Sequence, residues 1–250
     1  MYNPLQKIRV GAVSYLNAKP LLYGLQKTPV ADQIELVIDY PAHIGAKLLS
    51  GVIDLGLVPI AILPKMKEHH IVSDYCIGAD GPVASVCIFS EVPIEKVEVV
   101  YLDYQSRTSV NLAKILLREY WRTDVTFLET TGEDFRKRIS GTTAAVIIGD
   151  RALEQRSRST YIYDLAEAWK NHTGLPFVFA AWVANKQLPA SFLADFNEAN
   201  AMGLKNIYEV LETLHYTYFP LQDYFTQYLD YRLDESKMAA IHLFLKKISN

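Results

Sequence analysis

The chain lacks most of the features that would place it in a specialised class. It has only two cysteines in 250 residues, Cys76 and Cys87. Both lie in apolar, strand-like surroundings with no Cys-x-x-Cys spacing and no nearby histidine pair. They therefore read as small buried hydrophobes, and neither a disulfide framework nor a zinc site is expected. No stretch approaches the roughly 18 uninterrupted apolar residues of a membrane helix, so membrane insertion is not expected. Residues Met1 to Val10 hold no apolar signal core, small-residue cleavage site or lipobox and run straight into a strand pattern, which points to a cytoplasmic protein. Positive charge is not in excess. With 25 Lys and Arg against 28 Asp and Glu the formal net charge is −3, which gives no basic field for nucleic acid or an anionic membrane. Internal repeats and low-complexity tracts are also missing.

What is present is a chain that is 50% apolar and 21% charged, enough to bury one large core or two modest ones. Short β-branched runs recur at Ile8 to Val13, Glu35 to Tyr40, Leu55 to Pro59, Ser85 to Phe89, Val97 to Leu102, Ala144 to Ile148 and Phe177 to Ala184. Amphipathic segments separate them, at Asn17 to Gln26, Ala42 to Ser50 and from Thr108 to about Tyr120, and this alternation predicts α/β layers. After Trp182 helical patterns dominate to the end, with Met238, Ile241, Leu245 and Ile248 forming an apolar stripe. Two α/β units joined by two crossings predict two lobes with mixed sheets and a hinge cleft. The crossings are expected near Ser85 to Ser90 and Phe177 to Trp182. The first lobe then comprises residues 1–88 plus 181–250, including the helical C-terminal segment, and the second comprises residues 89–180.

Four stretches could carry chemistry. Val13 to Leu21 joins a strand to a helix start, where unpaired N–H groups favour an anion; Ser14 or Asn17 could equally be only a helix cap. Tyr104 to Ser109 repeats that junction with an arginine and several hydroxyls. There Arg107 could grip a carboxylate in a paired geometry while Ser106, Thr108 and Ser109 complete the shell, or Arg107 could be a surface residue beside a cap. Two helix starts facing one cleft from opposite sides would suit a small dianion. In Gly78 to Ile88, Gly81 and Pro82 permit a turn that leaves Ser85 at the cleft floor. Ser85 sits in no Gly-x-Ser-x-Gly phrase and reads as a hydrogen-bonding group, not a nucleophile. Finally, Ile148-Gly149-Asp150-Arg151 ends a buried strand with a carboxylate that either faces the cleft or caps the next helix. His69 and His70 read as solvated surface, and His215 and His242 lie in the helical tail. His172 alone could approach the cleft. The tyrosines from Tyr208 to Tyr231 read as packing surface.

These phrases resemble a known family. Ile8-Arg9-Val10-Gly11-Ala12-Val13-Ser14-Tyr15-Leu16-Asn17-Ala18-Lys19-Pro20-Leu21 looks like the opening signature of the chorismate dehydratases of futalosine-dependent menaquinone biosynthesis. Similar phrases recur at Gly81 to Ile88, Ser106 to Val110, Ile148 to Leu153 and Trp169 to Trp182, so the resemblance spans roughly residues 8 to 185. The related dihydroxynaphthoate synthases open with a Ser-Pro-Cys-Pro-Asn-Asp phrase and use a catalytic histidine; this chain has Ser-Tyr-Leu-Asn there. The resemblance implies a type II periplasmic-binding-protein-like fold and conversion of chorismate to 3-[(1-carboxyvinyl)oxy]benzoate and water, without cofactor or metal. On that basis Asn17, Ser85 and Asp150 are the expected catalytic residues. The expected substrate contacts are Ser14, Tyr15, Asn17, Ser85, Val86, Ser106, Arg107, Thr108, Ser109 and Gly149. The proton acceptor is either the substrate's own enolpyruvyl carboxylate or Asp150. A non-catalytic receptor for a small dicarboxylate, or a metabolite-sensing domain, would share the architecture. The sequence is compatible with a monomer or a homodimer.

Overall fold

A computed structural model describes residues 7–249. Eleven strands form two mixed sheets. Strands β1 (Ile8–Val13), β2 (Ile34–Asp39), β3 (Leu55–Pro59), β4 (His70–Ala79), β10 (Phe177–Ala184) and β11 (Asp230–Arg232) form the first, in the order β11-β4-β10-β3-β1-β2. Strands β5 (Val86–Ser90), β6 (Val99–Leu102), β7 (Thr126–Glu129), β8 (Thr143–Ile148) and β9 (Tyr161–Asp164) form the second, in the order β7-β6-β8-β5-β9. β1 is parallel to β2 and β3, and β6 to β7 and β8, whereas β10 and β5 run antiparallel to the strands beside them.

The helices are α1 (Lys19–Lys27), α2 (Val30–Gln33), α3 (Pro41–Leu49), α4 (Thr108–Leu116), α5 (Asp150–Gln155), α6 (Leu165–Thr173), α7 (Ala190–Lys205), α8 (Ile207–Glu212), α9 (Leu221–Asp223) and α10 (Glu235–Ser249). Pro20 and Pro41 stand in the first turns of α1 and α3, where a missing N–H costs nothing and a fixed φ starts the helix. α4 ends in a wider turn over Leu117–Trp121, stopped by Arg122 in a left-handed conformation.

β3, β5 and β10 are buried along their whole length, which is why they read as unbroken apolar runs. The core continues through Trp169, Phe177 and Phe244, whose rings meet edge to face. The buried Trp182 satisfies its indole N–H on Asn200 Oδ1 at 3.1 Å, and Asn200 in turn donates to Phe196 O at 2.7 Å.

Strand partnership places the passages between the sheets at 80–85 and 174–176, not at 88/89 and 180/181. β5 pairs only with β8 and β9, and β10 only with β3 and β4, so each strand belongs whole to one sheet. The C-terminal region is helical except for β11, a three-residue edge strand too short to leave a periodic signal.

Candidate active site

Three strand-to-helix junctions and one crossing converge between the sheets. The loop after β1 turns through a single 3₁₀ turn, Leu16–Ala18, into α1. The loop after β6 leads into α4, and β8 runs directly into α5 through Gly149. With the crossing at 83–86 they line a small, tight cavity of about 40 Å³ between the sheets. Tyr15, Asn17, Ser85, Val86, Ser106, Thr108, Ser109 and Gly149 stand in its wall, against an apolar remainder that includes Pro59, Ile77 and Phe179.

The hydroxyls of this wall are poised to donate. Ser106 Oγ accepts from Ser109 N at 3.0 Å, and Thr108 Oγ1 accepts from Ala61 N at 3.2 Å. Each oxygen thus holds a backbone N–H, which leaves the hydroxyl proton for a ligand acceptor. Both stand at the start of α4, where the helix dipole also favours negative charge. Across the cavity Asn17 Oδ1 is buried without a hydrogen-bond donor, an arrangement that a ligand hydroxyl would satisfy.

Several bonds tie the two sides together over the cavity. Tyr15 OH donates to Gln105 Oε1 and accepts from Arg151 at 3.4 Å, and Leu16 N donates to Asp150 Oδ1 at 3.0 Å. Ala42 N reaches Gln105 O at 3.2 Å. Gly149 is where the closure leaves no space. Its φ is +65°, and a Cβ there would meet the Tyr15 ring at 2.9 Å, so both conformation and contact demand glycine.

Three expected residues are not in the wall. Ser14 is exposed, and its N–H is spent on Asp39 O at 3.0 Å. Arg107 is also exposed. It points into a separate surface groove with Lys65 and Asn111, because successive residues at a helix start diverge by about 100° and Thr108 takes the inward direction. Arg151 reaches the Tyr15 hydroxyl from behind the wall at 3.4 Å and is held by Asp103 at 3.0 and 2.8 Å and by Glu133 at 2.7 Å. Among the described residues no cationic side chain lines the cavity, so an anion there relies on hydroxyls and N–H groups. Asp150 lies behind the wall, gripping Leu16 N. His172 contacts Glu119 at 3.5 Å, away from the cavity. Among the described residues no cluster of three or more His, Cys, Asp or Glu side chains has a metal-holding arrangement.

Sequence reasoning missed the tyrosines. Tyr224 OH donates to Ser85 Oγ at 2.7 Å. Tyr231 OH donates to Asn17 O at 2.9 Å, and Tyr216 OH to Asp150 O at 2.9 Å. The segment does pack, as its helical spacing suggested. What the spacing does not reveal is that three of its hydroxyls turn inward onto residues at or behind the site.

Burial pushes the Asp150 carboxyl up to about 6, against a smaller opposing effect of the Leu16 N–H. A carboxyl whose pKa is raised on folding contributes stability that is full below its ordinary value and lost as pH rises through about 6. Asp150→Asn keeps an acceptor for Leu16 N without the buried charge. It is expected to be more stable than the parent by about 3 kcal/mol at pH 8, the scale of moving a carboxyl from its ordinary range to about 6, with the gap closing towards pH 4. Thermal denaturation at the two pH values checks this; an equal midpoint difference at both would refute it.

Residues 8–250 match the family described as Menaquinone biosynthesis. The chain is 27% identical over 229 residues to the chorismate dehydratase of Thermus thermophilus, covering 81% of this chain and 80% of that protein. It is 28% identical over 233 residues to the chorismate dehydratase of Campylobacter jejuni, covering 90% and 86% respectively. Among solved structures, a protein of Archaeoglobus fulgidus superposes with a TM-score of 0.77 at 15% identity, over 97% of both chains. A Candida albicans protein described as having the generic periplasmic binding protein fold gives 0.65 at 12% identity, over 97% of this chain and 90% of that one. At these identities the structural likenesses establish the fold alone: a periplasmic-binding-protein-like α/β architecture.

Proposed function

Because the chain belongs to the menaquinone biosynthesis family, we propose that it is a chorismate dehydratase, converting chorismate to 3-[(1-carboxyvinyl)oxy]benzoate and water as the committed step of the futalosine route. The observation that carries this reading is the cavity wall itself. It sets the donor hydroxyls of Ser106, Thr108 and Ser109 at one helix start opposite an Asn17 amide oxygen that lacks a donor. Chorismate carries two carboxylates and a ring hydroxyl on a cyclohexadiene, which suits both features.

In the reaction the ring C–H beside the enolpyruvyl ether loses its proton, the electron pair becomes a ring π bond, and the neighbouring C–O bond breaks. The hydroxide that departs accounts, with the proton, for the water. Aromatisation drives the step, so a weak base suffices. The α4 start takes one carboxylate; Arg107, facing another groove, has no part in this. Asn17 accepts from the ring hydroxyl through Oδ1 and donates through its amide as charge develops on the departing oxygen. The substrate's enolpyruvyl carboxylate takes the proton. Its effective concentration in a closed site can reach about 10⁵ M, which makes positioning the main contribution of the protein. Asp150, committed to Leu16 N behind the wall, is the weaker candidate for the base. The cavity is complete within one chain, which supports activity as a monomer, with a homodimer equally able to carry two such sites. A biosynthetic role of this kind supports a cytoplasmic location.

The test is to mix purified protein with chorismate, follow loss of the diene absorbance and identify the product by mass spectrometry. Sustained formation of the dehydrated benzoate over many turnovers is the expected result. Tight binding of unchanged chorismate would replace the enzyme with a receptor.

A further inference from the structure

The crossing that delivers Ser85 to the cavity contains a strained turn. Ala84 has φ +61°, one of two non-glycine residues with positive φ among those described. Ser85 N–H closes back on Val83 O at 2.7 Å, a three-residue γ-turn with its central residue in the rare left-handed form. Ala84 is buried, so water does not compensate. Such conformations persist only where the surroundings over-determine them.

The carbonyl of Ala84 accepts from Arg156 Nη1 at 3.2 Å and from Cys87 Sγ at 3.4 Å, and the group that holds the turn's two N–H donors is the carboxylate of Asp164. Its Oδ2 accepts from Val83 N at 2.9 Å and Ala84 N at 2.7 Å. Its Oδ1 accepts from Ala166 N at 3.0 Å and Glu167 N at 3.2 Å, capping α6. Capping a helix takes one side-chain oxygen. Here the second oxygen takes both N–H groups of the turn, with a longer contact from Cys87 Sγ at 3.8 Å, and the residue is buried. Immediately beyond the turn, Ser85 O accepts from Gly149 N at 2.8 Å and Ser85 Oγ accepts from Tyr224 at 2.7 Å, so the turn also fixes how β8 meets the crossing.

We propose that Asp164 is a positioning residue for the site: its second carboxylate oxygen locks the Val83–Ser85 turn and thereby sets Ser85 and Gly149 in the cavity wall. This rests on the dehydratase reading for its kinetic consequence, but its structural consequence can be read without turnover. Asp164→Ser separates the two duties, since a serine Oγ still caps α6 while Val83 N and Ala84 N lose their acceptor. Adding Ala84→Gly removes the penalty of the left-handed conformation and lets the turn form without the carboxylate.

The expected result is that Asp164→Ser lowers kcat on chorismate by about 10- to 100-fold, the scale of a small misplacement in a site, with a smaller change in KM. Ala84→Gly in that background recovers activity by at least about threefold. Amide exchange measured by mass spectrometry rises about tenfold or more at 83–86 and 149 in Asp164→Ser, with α6 unchanged, and falls back in the double variant. A purely structural role would lower the folded fraction and leave glycine without effect. Wild-type kcat in Asp164→Ser, exchange at 83–86 that does not change, or loss of activity without recovery by glycine would each overturn the proposal. Should Asp164→Ser not fold, Asp164→Asn is read in the same way. An inactive wild type would refute the dehydratase reading alone, and the exchange data would still decide the role of Asp164.

Discussion

Asn17→Ala is expected to lower turnover of chorismate by about 10²- to 10³-fold, the scale of losing one preorganised hydrogen-bonding group aimed at developing charge, while Asp150→Asn stays within about tenfold of the parent. The contrast follows from where the two side chains are. Asn17 stands in the cavity wall with a buried oxygen that no donor among the described residues satisfies. Asp150 is turned to Leu16 N, and an asparagine there retains that bond. The loss in Asn17→Ala should fall mainly on kcat, because the amide is needed most as the C–O bond breaks. Steady-state kinetics on both variants decide between two mechanisms. If Asp150→Asn is the inactive one and Asn17→Ala turns over normally, Asp150 is the base and the substrate-assisted route is wrong. Loss in both would mean that the closing bond to Leu16 needs a charged acceptor.

How much of this was legible in the sequence depends on how local the determining contact is. β1, β3 and β10 begin and end where the apolar runs do, because buried strands leave no room for polar alternation. β7, β9 and β11 were not legible: each is an edge strand with one neighbour, short, and partly exposed. His70, which the sequence places on a solvated surface, instead opens β4, whose first residues mix polar and apolar side chains and give no strand signal. At the site, the junctions were visible as strand, polar loop and helix start, but the direction of each side chain was not. Arg107 and Thr108 are neighbours in sequence and point to different grooves. The contacts that complete the wall join distant residues: Tyr224 to Ser85, and Asp164 to the turn at Ala84. No periodicity encodes such a pairing. The strand, polar loop and helix-start pattern locates the loops, and only the fold shows what supports them from behind.

The largest effect on stability is expected from a single methyl group on either of two glycines. Gly24 in α1 faces Gly203 in α7 across an approach so close that a Cβ on Gly24 would lie 1.8 Å from Ala199 O, and one on Gly203 1.9 Å from Pro20 O. Two effects oppose each other. Alanine is the better helix former, by about 1 kcal/mol per residue, so propensity alone predicts that either substitution stabilises the chain. The contact predicts the reverse. The obstructing atoms are backbone carbonyls already bonded within their helices, which cannot turn aside as a side chain does, so the helices must separate by more than an ångström or so. Overpacking of flexible cores costs about 1–3 kcal/mol, and a clash against two helix backbones should exceed that, at roughly 3–5 kcal/mol. For a chain of this size that is a fall of about 10 °C or more in Tm. Because both glycines guard one contact, Gly24→Ala with Gly203→Ala should lose less than the sum of the two. The damage should also reach the chemistry. α1 continues directly from the 3₁₀ turn that carries Asn17, and Pro20, whose carbonyl meets Gly203, stands in its first turn. Displacing α1 therefore moves Asn17 against the cavity, and kcat measured well below Tm should fall along with stability. Melting curves and turnover for the three variants test both halves; a Tm that rises in Gly24→Ala would mean that propensity wins and that the helices yield more easily than packed backbone should.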